Sequence, residues 1–205
     1  LEKIEGYGQK IDISSLDFKK IEEEFLKVKG NQNIAVQSLK DKVSKKLNRL
    51  LDQNPLRIDF YERYQQIIDD YNLGKEYRSI KEIFDELVVL LGDLSEESIR
   101  AERENLLEDE LTVYDMLTKG KKISDKEKAK VKDTARELLL RLKTKEFKIQ
   151  YWTEKTQTTS AVKKVIENYL FEKLPSPSFD NDISEKVEIL YNDFRERFAN
   201  YFQAA

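Results

Sequence analysis

The chain of 205 residues has no cysteine and no histidine, only six glycines and only three prolines. Without cysteine there is no disulfide, no thiolate nucleophile and no zinc finger. Without histidine the Ser-His-Asp and Cys-His arrangements fall away, together with the commonest metal ligand. The six glycines, Gly6, Gly8, Gly30, Gly74, Gly92 and Gly120, form neither GxxxxGK[ST] nor GxGxxG, so no ATP loop is written in the sequence. No apolar run approaches the ~18 residues that a membrane-spanning helix needs, and no secretory signal opens the chain. The expectation is a cytoplasmic protein with no membrane contact. The first residue is Leu1 rather than Met, as expected of a piece of a longer protein.

What is present is charge and helical spacing. Charged residues make up 38% of the chain and hydrophobic residues 39%, with a mean hydropathy of −0.70. Few breakers, many Lys and Glu, and regular apolar spacing predict an all-α protein. The formal charge of −3 is unevenly spread. Residues 119–148 hold 12 basic and 5 acidic side chains, net +7, whereas 1–118 carry −8 and 149–205 carry −2. Only the middle block offers a footprint for an anionic partner.

The spacing predicts an irregular bundle of about seven to nine helices. An extended lead-in covers 1–15, and a single helical domain covers 16–205, with 119–124 as the candidate point of subdivision. Phe18, Ile21, Phe25 and Val28 mark a helix over about 16–29. Val36, Leu39, Val43, Leu47 and Leu50 mark the next, over about 33–52. Asn54 and Pro55 then open a helix over about 55–72, with Tyr61, Tyr64, Ile68 and Tyr71 as its stripe and Phe60 and Ile67 widening it. A hydrophobic helix over about 77–92 is expected to stop at Gly92. Asp93 and Glu96 have capping-box spacing for a short helix over 95–105. Helices over 108–118 and 124–143 follow, the second opened by Ser124 with Glu127. KEFKIQYW, 145–152, is either a short strand or a turn entering the next helix, and irregular or helical structure is favoured for want of a partner strand. Further helices cover 157–173 and 184–202, separated by the proline-bearing linker LPSPSFDND, 174–182.

Sites for chemistry are scarce. ERENLLEDE, 102–110, is acidic but lacks the glycine turn and alternating ligands of a calcium loop. Glu146-Phe147-Lys148 has the acid-x-Lys order of some nucleases, but chance supplies it in so Lys- and Glu-rich a chain, and no sheet is expected to present it. No catalytic, cofactor-binding or metal-binding residue is expected. On the helix over 124–143, Val131, Ala135, Leu138 and Leu142 share one face. Lys126, Lys130, Lys132 and Arg136 lie opposite, as a solvated face or as candidate DNA contacts. Phe194, Phe198, Tyr201 and Phe202 line a final helix that either completes its own bundle or docks on a partner.

Three strings go further. NPLRIDFYERYQQIIDDYN, 54–72, closely resembles a segment in the C-terminal region of type I restriction enzyme R subunits, carried by Asn54, Pro55, Arg57, Asp59, Phe60, Tyr61, Glu62, Ile67 and Ile68. RAERENLLEDELTVYDMLTKG, 100–120, is similar to a second segment of that family through Leu106, Glu110, Leu111, Tyr114, Asp115 and Leu117. YWTEKTQTTSAVKKVIENYLFEKLP, 151–175, resembles a third through Trp152, Lys155, Ala161, Val162, Ile166, Leu170, Leu174 and Pro175. Tyr151 stands where that family has an acid, and Ser160 where a basic residue is common. The resemblance spans about 35–195. It implies a noncatalytic helical module of a subunit whose nuclease and ATP-driven motor lie elsewhere, so ATP and magnesium are expected for the parent subunit and not for this segment. It further implies that the module holds the motor against the methyltransferase M and S subunits. Arg57, Arg63, Trp152, Phe198 and Phe202 are then the candidate interface residues. The alternatives are a DNA-contacting surface in 119–148 and an intramolecular brace for the motor domains of the same chain.

Overall fold

A computed structural model describes residues 32–74 and 79–201. The expected lead-in, the expected helix over 16–29 and Phe202 lie outside these residues. Among them are eight α-helices, two short 3-10 turns and no strand, so the protein is all-α. The chain divides into two compact units, one ending at Arg100 and the other beginning at Ala101.

The first unit is built on α1 (Gln32–Gln53), α2 (Ile58–Leu73) and α3 (Ile80–Ser98). The five apolar residues spaced along α1, Val36, Leu39, Val43, Leu47 and Leu50, are all buried. They meet Ile83, Phe84, Leu87, Leu90, Leu91 and Leu94 of α3 in one core. A periodic stripe on each helix is what lets two helices exclude water along their length. Lys46 adds a polar tie, donating to Ser95 Oγ at 2.8 Å.

Helix α2 also packs on α3, with its inward face rotated from the expected one. Ile67 is its buried centre, and Phe60, Tyr64 and Tyr71 pack beside the core, while Tyr61 is exposed. One residue is 100° of rotation on a helix, and an aromatic face this broad does not mark its own middle. Asn54 caps as expected, its Oδ1 accepting from Leu56 N at 3.1 Å, but the turn it opens is a 3-10 turn, Pro55–Arg57, ahead of α2.

Helix α3 starts from a capping box at Ser79 and Glu82 and runs through Gly92. The expected stop at Gly92 and the expected start at Asp93 and Glu96 are therefore both corrected: the three residues lie inside α3. An interior glycine costs about 1 kcal/mol relative to alanine. Burial of Leu90, Leu91 and Leu94 on either side of it outweighs that cost.

The chain passes between units in the one-turn helix α4 (Arg100–Arg103). The second unit holds α5 (Glu108–Thr118), α6 (Asp125–Thr144), α7 (Thr156–Lys173) and α8 (Ile183–Arg197). Each packs on the next, and α8 returns to α5, closing a four-helix ring. Val131, Ala135, Leu138 and Leu142 of α6 are buried as expected. On α7 the buried row is Val162, Ile166 and Leu170, and Ala161 is exposed. Residues 119–124 form the turn between α5 and α6, and 174–182 the connection between α7 and α8, both inside this unit. Phe179 of that connection is buried, and Lys121 donates to Ser178 O at 2.6 Å, so the proline-bearing stretch is packed against its unit. Residues 145–152 form a 3-10 turn, Glu146–Lys148, and a further turn, as favoured over a strand.

Candidate functional site

The expected interface residues separate into two sets. Arg63 is exposed and pairs with Asp93 at 2.5 Å. Arg57 is buried, donates from Nε to Glu97 Oε1 at 2.9 Å and from Nη1 to Leu50 O at 3.2 Å. Trp152 is 0% exposed and Phe198 is buried. A side chain enclosed by its own fold offers a partner nothing, so Arg57, Trp152 and Phe198 are corrected to interior residues.

The reason lies in an aromatic cluster under the turn between α6 and α7. Phe147 stacks on Trp152 at 4.9 Å and on Phe198 at 5.1 Å, with Phe194 edge-on at 5.6 Å. Trp152 donates from Nε1 to Phe198 O at 3.1 Å. Cations close the rim: Lys143 lies 4.8 Å and Arg197 4.9 Å from the Phe198 ring centre. Those cations also join α5, α6 and α8 through Asp109, which receives Lys143 at 2.6 Å and Arg197 at 3.0 Å. Asp193 beside Arg197 has its carboxyl pushed up by burial, an effect the Arg197 guanidinium opposes.

The basic block divides in the same way. Lys132 donates to Glu104 at 2.5 Å, and Arg136 donates to Asn105 O at 2.9 Å and pairs with Asp133 at 3.0 Å. These two brace α6 against the segment before α5. Lys126 and Lys130 are exposed, and neither has an ion pair among the described residues. Of the four candidate DNA contacts, only Lys126 and Lys130 are therefore free to meet a phosphate. Lys186 of α8 is a buried cation that donates to Met116 O at 2.8 Å, and burial lowers its pKa.

The start of α6 sets a pH dependence. Glu127 accepts from Ser124 N at 2.8 Å and from the hydroxyls of Ser124 and Ser178. The Ser124 hydroxyl foremost, then Ser178 and the Ser124 amide, favour the charged carboxylate and bring its pKa from 4.5 to about 2. A folded value below the unfolded one stabilises fully above about 4.5, and that contribution is lost as pH falls through about 2. The Glu127 carboxyl resonance should titrate near 2, and the Glu127→Gln variant should lose less thermal stability between pH 4.5 and 2 than the parent chain.

Two kinds of exposed apolar surface remain. Phe171 on α7 is 79% exposed, and Leu107 and Leu140 are also exposed. The turn over 145–155 presents Ile149 and Tyr151 outward while holding Phe147 and Trp152 inward. Sequence reasoning favoured non-strand structure there but did not single the turn out as a surface, although the alternation in KEFKIQYW was its signal. Among the described residues no group of three or more His, Cys, Asp or Glu is placed to hold a metal ion, and no helix is long and apolar enough to cross a membrane.

A family model described as type I restriction enzyme HindI endonuclease subunit-like, C-terminal, matches residues 5–188. The chain belongs to this family. No curated protein and no solved structure matches it. As the C-terminal domain of a type I restriction enzyme subunit, it has Arg57 of its first unit and Trp152 of its second as buried structural residues inside the segments that carried the resemblance. Those segments identify the family through its core.

Proposed function

We propose that this C-terminal domain is a noncatalytic docking module that anchors the motor and nuclease parts of the restriction subunit to the methyltransferase M and S subunits. The observation that carries this reading is how the two units spend their charges and expose their apolar side chains. Buried or half-buried carboxylates, Glu97, Glu104, Asp109 and Asp193, are each answered by an Arg or Lys of the same unit. Carboxylates neutralised in this way brace helices and are poor general acids or bases. Large apolar side chains meanwhile stand in solvent, Ile149 and Tyr151 among them. Exposed aromatic and aliphatic anchors are what a protein interface uses for affinity.

A second reading has Lys126 and Lys130 contacting duplex phosphates, favoured by their exposure and freedom from ion pairs among the described residues. With two contacts the logarithm of the binding constant should fall against that of salt with a slope of only about −2. The test is titration of the chain into the cognate methyltransferase complex and, separately, into a plain duplex, with salt varied. Binding to the complex that survives moderate salt supports docking. Binding to the duplex alone, with the shallow slope, moves the function to α6. Binding to neither leaves a brace within the subunit.

A further inference from the structure

We infer that the turn over 145–155 is the docking element itself: Ile149 and Tyr151 enter an apolar recess on an acidic protein surface, and Lys145, Lys148 and Lys155 meet the carboxylates around it. This rests on the docking reading above and names the surface and the chemistry of the partner. Four features of the turn converge on it.

The turn is rigid. Lys148 N donates to Lys145 O at 3.3 Å, Ile149 N to Glu146 O at 3.2 Å, Trp152 N to Ile149 O at 3.2 Å and Glu154 N to Tyr151 O at 3.1 Å. Phe147 and Trp152, stacked beneath and fully buried, fix both sides of it. A pre-ordered loop loses little entropy on binding. The turn is also apolar at its tip, where Ile149 is 45% and Tyr151 47% exposed.

Tyr151 sits at φ 57, the left-handed region that a bulky side chain rarely occupies. Glycine or asparagine would fit that backbone with less strain, and strain held in place by surrounding structure gathers at sites of function. Finally, the exposed charge around the tip is mostly positive. Lys145, Lys148 and Lys155 are exposed and have no ion pair among the described residues, against exposed Glu154 and half-buried Glu146. Of the two tip side chains only Tyr151 has a π face on which a base could stack, so the tip suits a protein recess better than a nucleic-acid strand. Phe171 lacks this setting. It lies sixteen residues beyond Lys155 along α7, roughly 24 Å at the helical rise of ~1.5 Å per residue.

The experiment measures the affinity of the chain for the cognate methyltransferase complex, with three variants compared. Ile149→Ser with Tyr151→Asn removes the anchors and relaxes the backbone. Lys145→Glu with Lys148→Glu and Lys155→Glu reverses the ring. Phe171→Ser is the control. Trp152 fluorescence and far-UV circular dichroism verify folding, and both turn variants should melt no lower than the parent chain. We expect each turn variant to bind at least about tenfold more weakly, with Phe171→Ser within about twofold of the parent. If the parent chain binds and the turn variants bind equally well, the turn is not the docking element, although docking stands. If the parent chain does not bind, both readings fall. If charge reversal abolishes binding to a plain duplex while binding to the complex is unchanged, the partner of the lysines is nucleic acid and the inference is overturned.

Discussion

Arg57→Ala is expected to lower the unfolding free energy by about 3 kcal/mol, the low end of the range for breaking a buried ion pair. The side chains of Arg57 and Glu97 are 2% and 10% exposed. Removing the guanidinium strands a carboxylate in the interior and takes a donor from Leu50 O. Arg100, which also donates to Glu97 at 2.9 Å, still offsets part of that charge, which is why the low end applies. Arg57→Lys should fall between, because an ammonium supplies charge without the fork that reaches Glu97 and Leu50 together. Arg63→Ala provides the contrast. Its pair with Asp93 is exposed on both sides, at 42% and 46%, and should contribute less than about 0.5 kcal/mol. Urea denaturation followed by far-UV circular dichroism separates the two. A cost below about 1 kcal/mol for Arg57→Ala would return Arg57 to the surface role that its charge alone implies.

That reversal shows where sequence reading reached its limit. The core stripes of α1 and α6 were legible because each is an apolar row against a charged background, and every residue read into those rows is buried. The Ser124 and Glu127 capping box was legible because it is a local pairing three residues apart. The partner of Arg57 is forty residues away on another helix, and no periodicity reports a contact of that range. The same holds for Lys132 and Arg136, which look like a solvated basic face until Glu104 and Asn105 are brought beside them. Gly92 was read as a stop because local propensity is a weak prior that packing overrides. The turn over 145–155 went unread as a surface because two of its aromatic residues point in and one points out.

The largest effect in the second unit is expected at Trp152. Trp152→Ala should cost about 3–5 kcal/mol, as the loss of a fully buried indole leaves a cavity that its neighbours refill only in part. The ring stacks on Phe147 and meets Tyr191 edge-on at 6.2 Å, so the cavity opens at the centre of the aromatic cluster. Trp152→Phe should cost less, about 1–2 kcal/mol, because Phe198 O keeps a second donor in Tyr201 N at 3.1 Å and is not left bare. Thermal melts by circular dichroism give both values. Phe147→Ala tests the same cluster from the other side, and there Trp152, the only tryptophan in the chain, is the reporter. Its emission should shift to the red as the stack opens, while an unchanged spectrum would mean that Trp152 is buried independently of Phe147. Both substitutions also loosen the floor under Ile149 and Tyr151. A chain with Phe147→Ala that stays folded should therefore bind the methyltransferase complex more weakly, because the turn must then be ordered at the expense of binding.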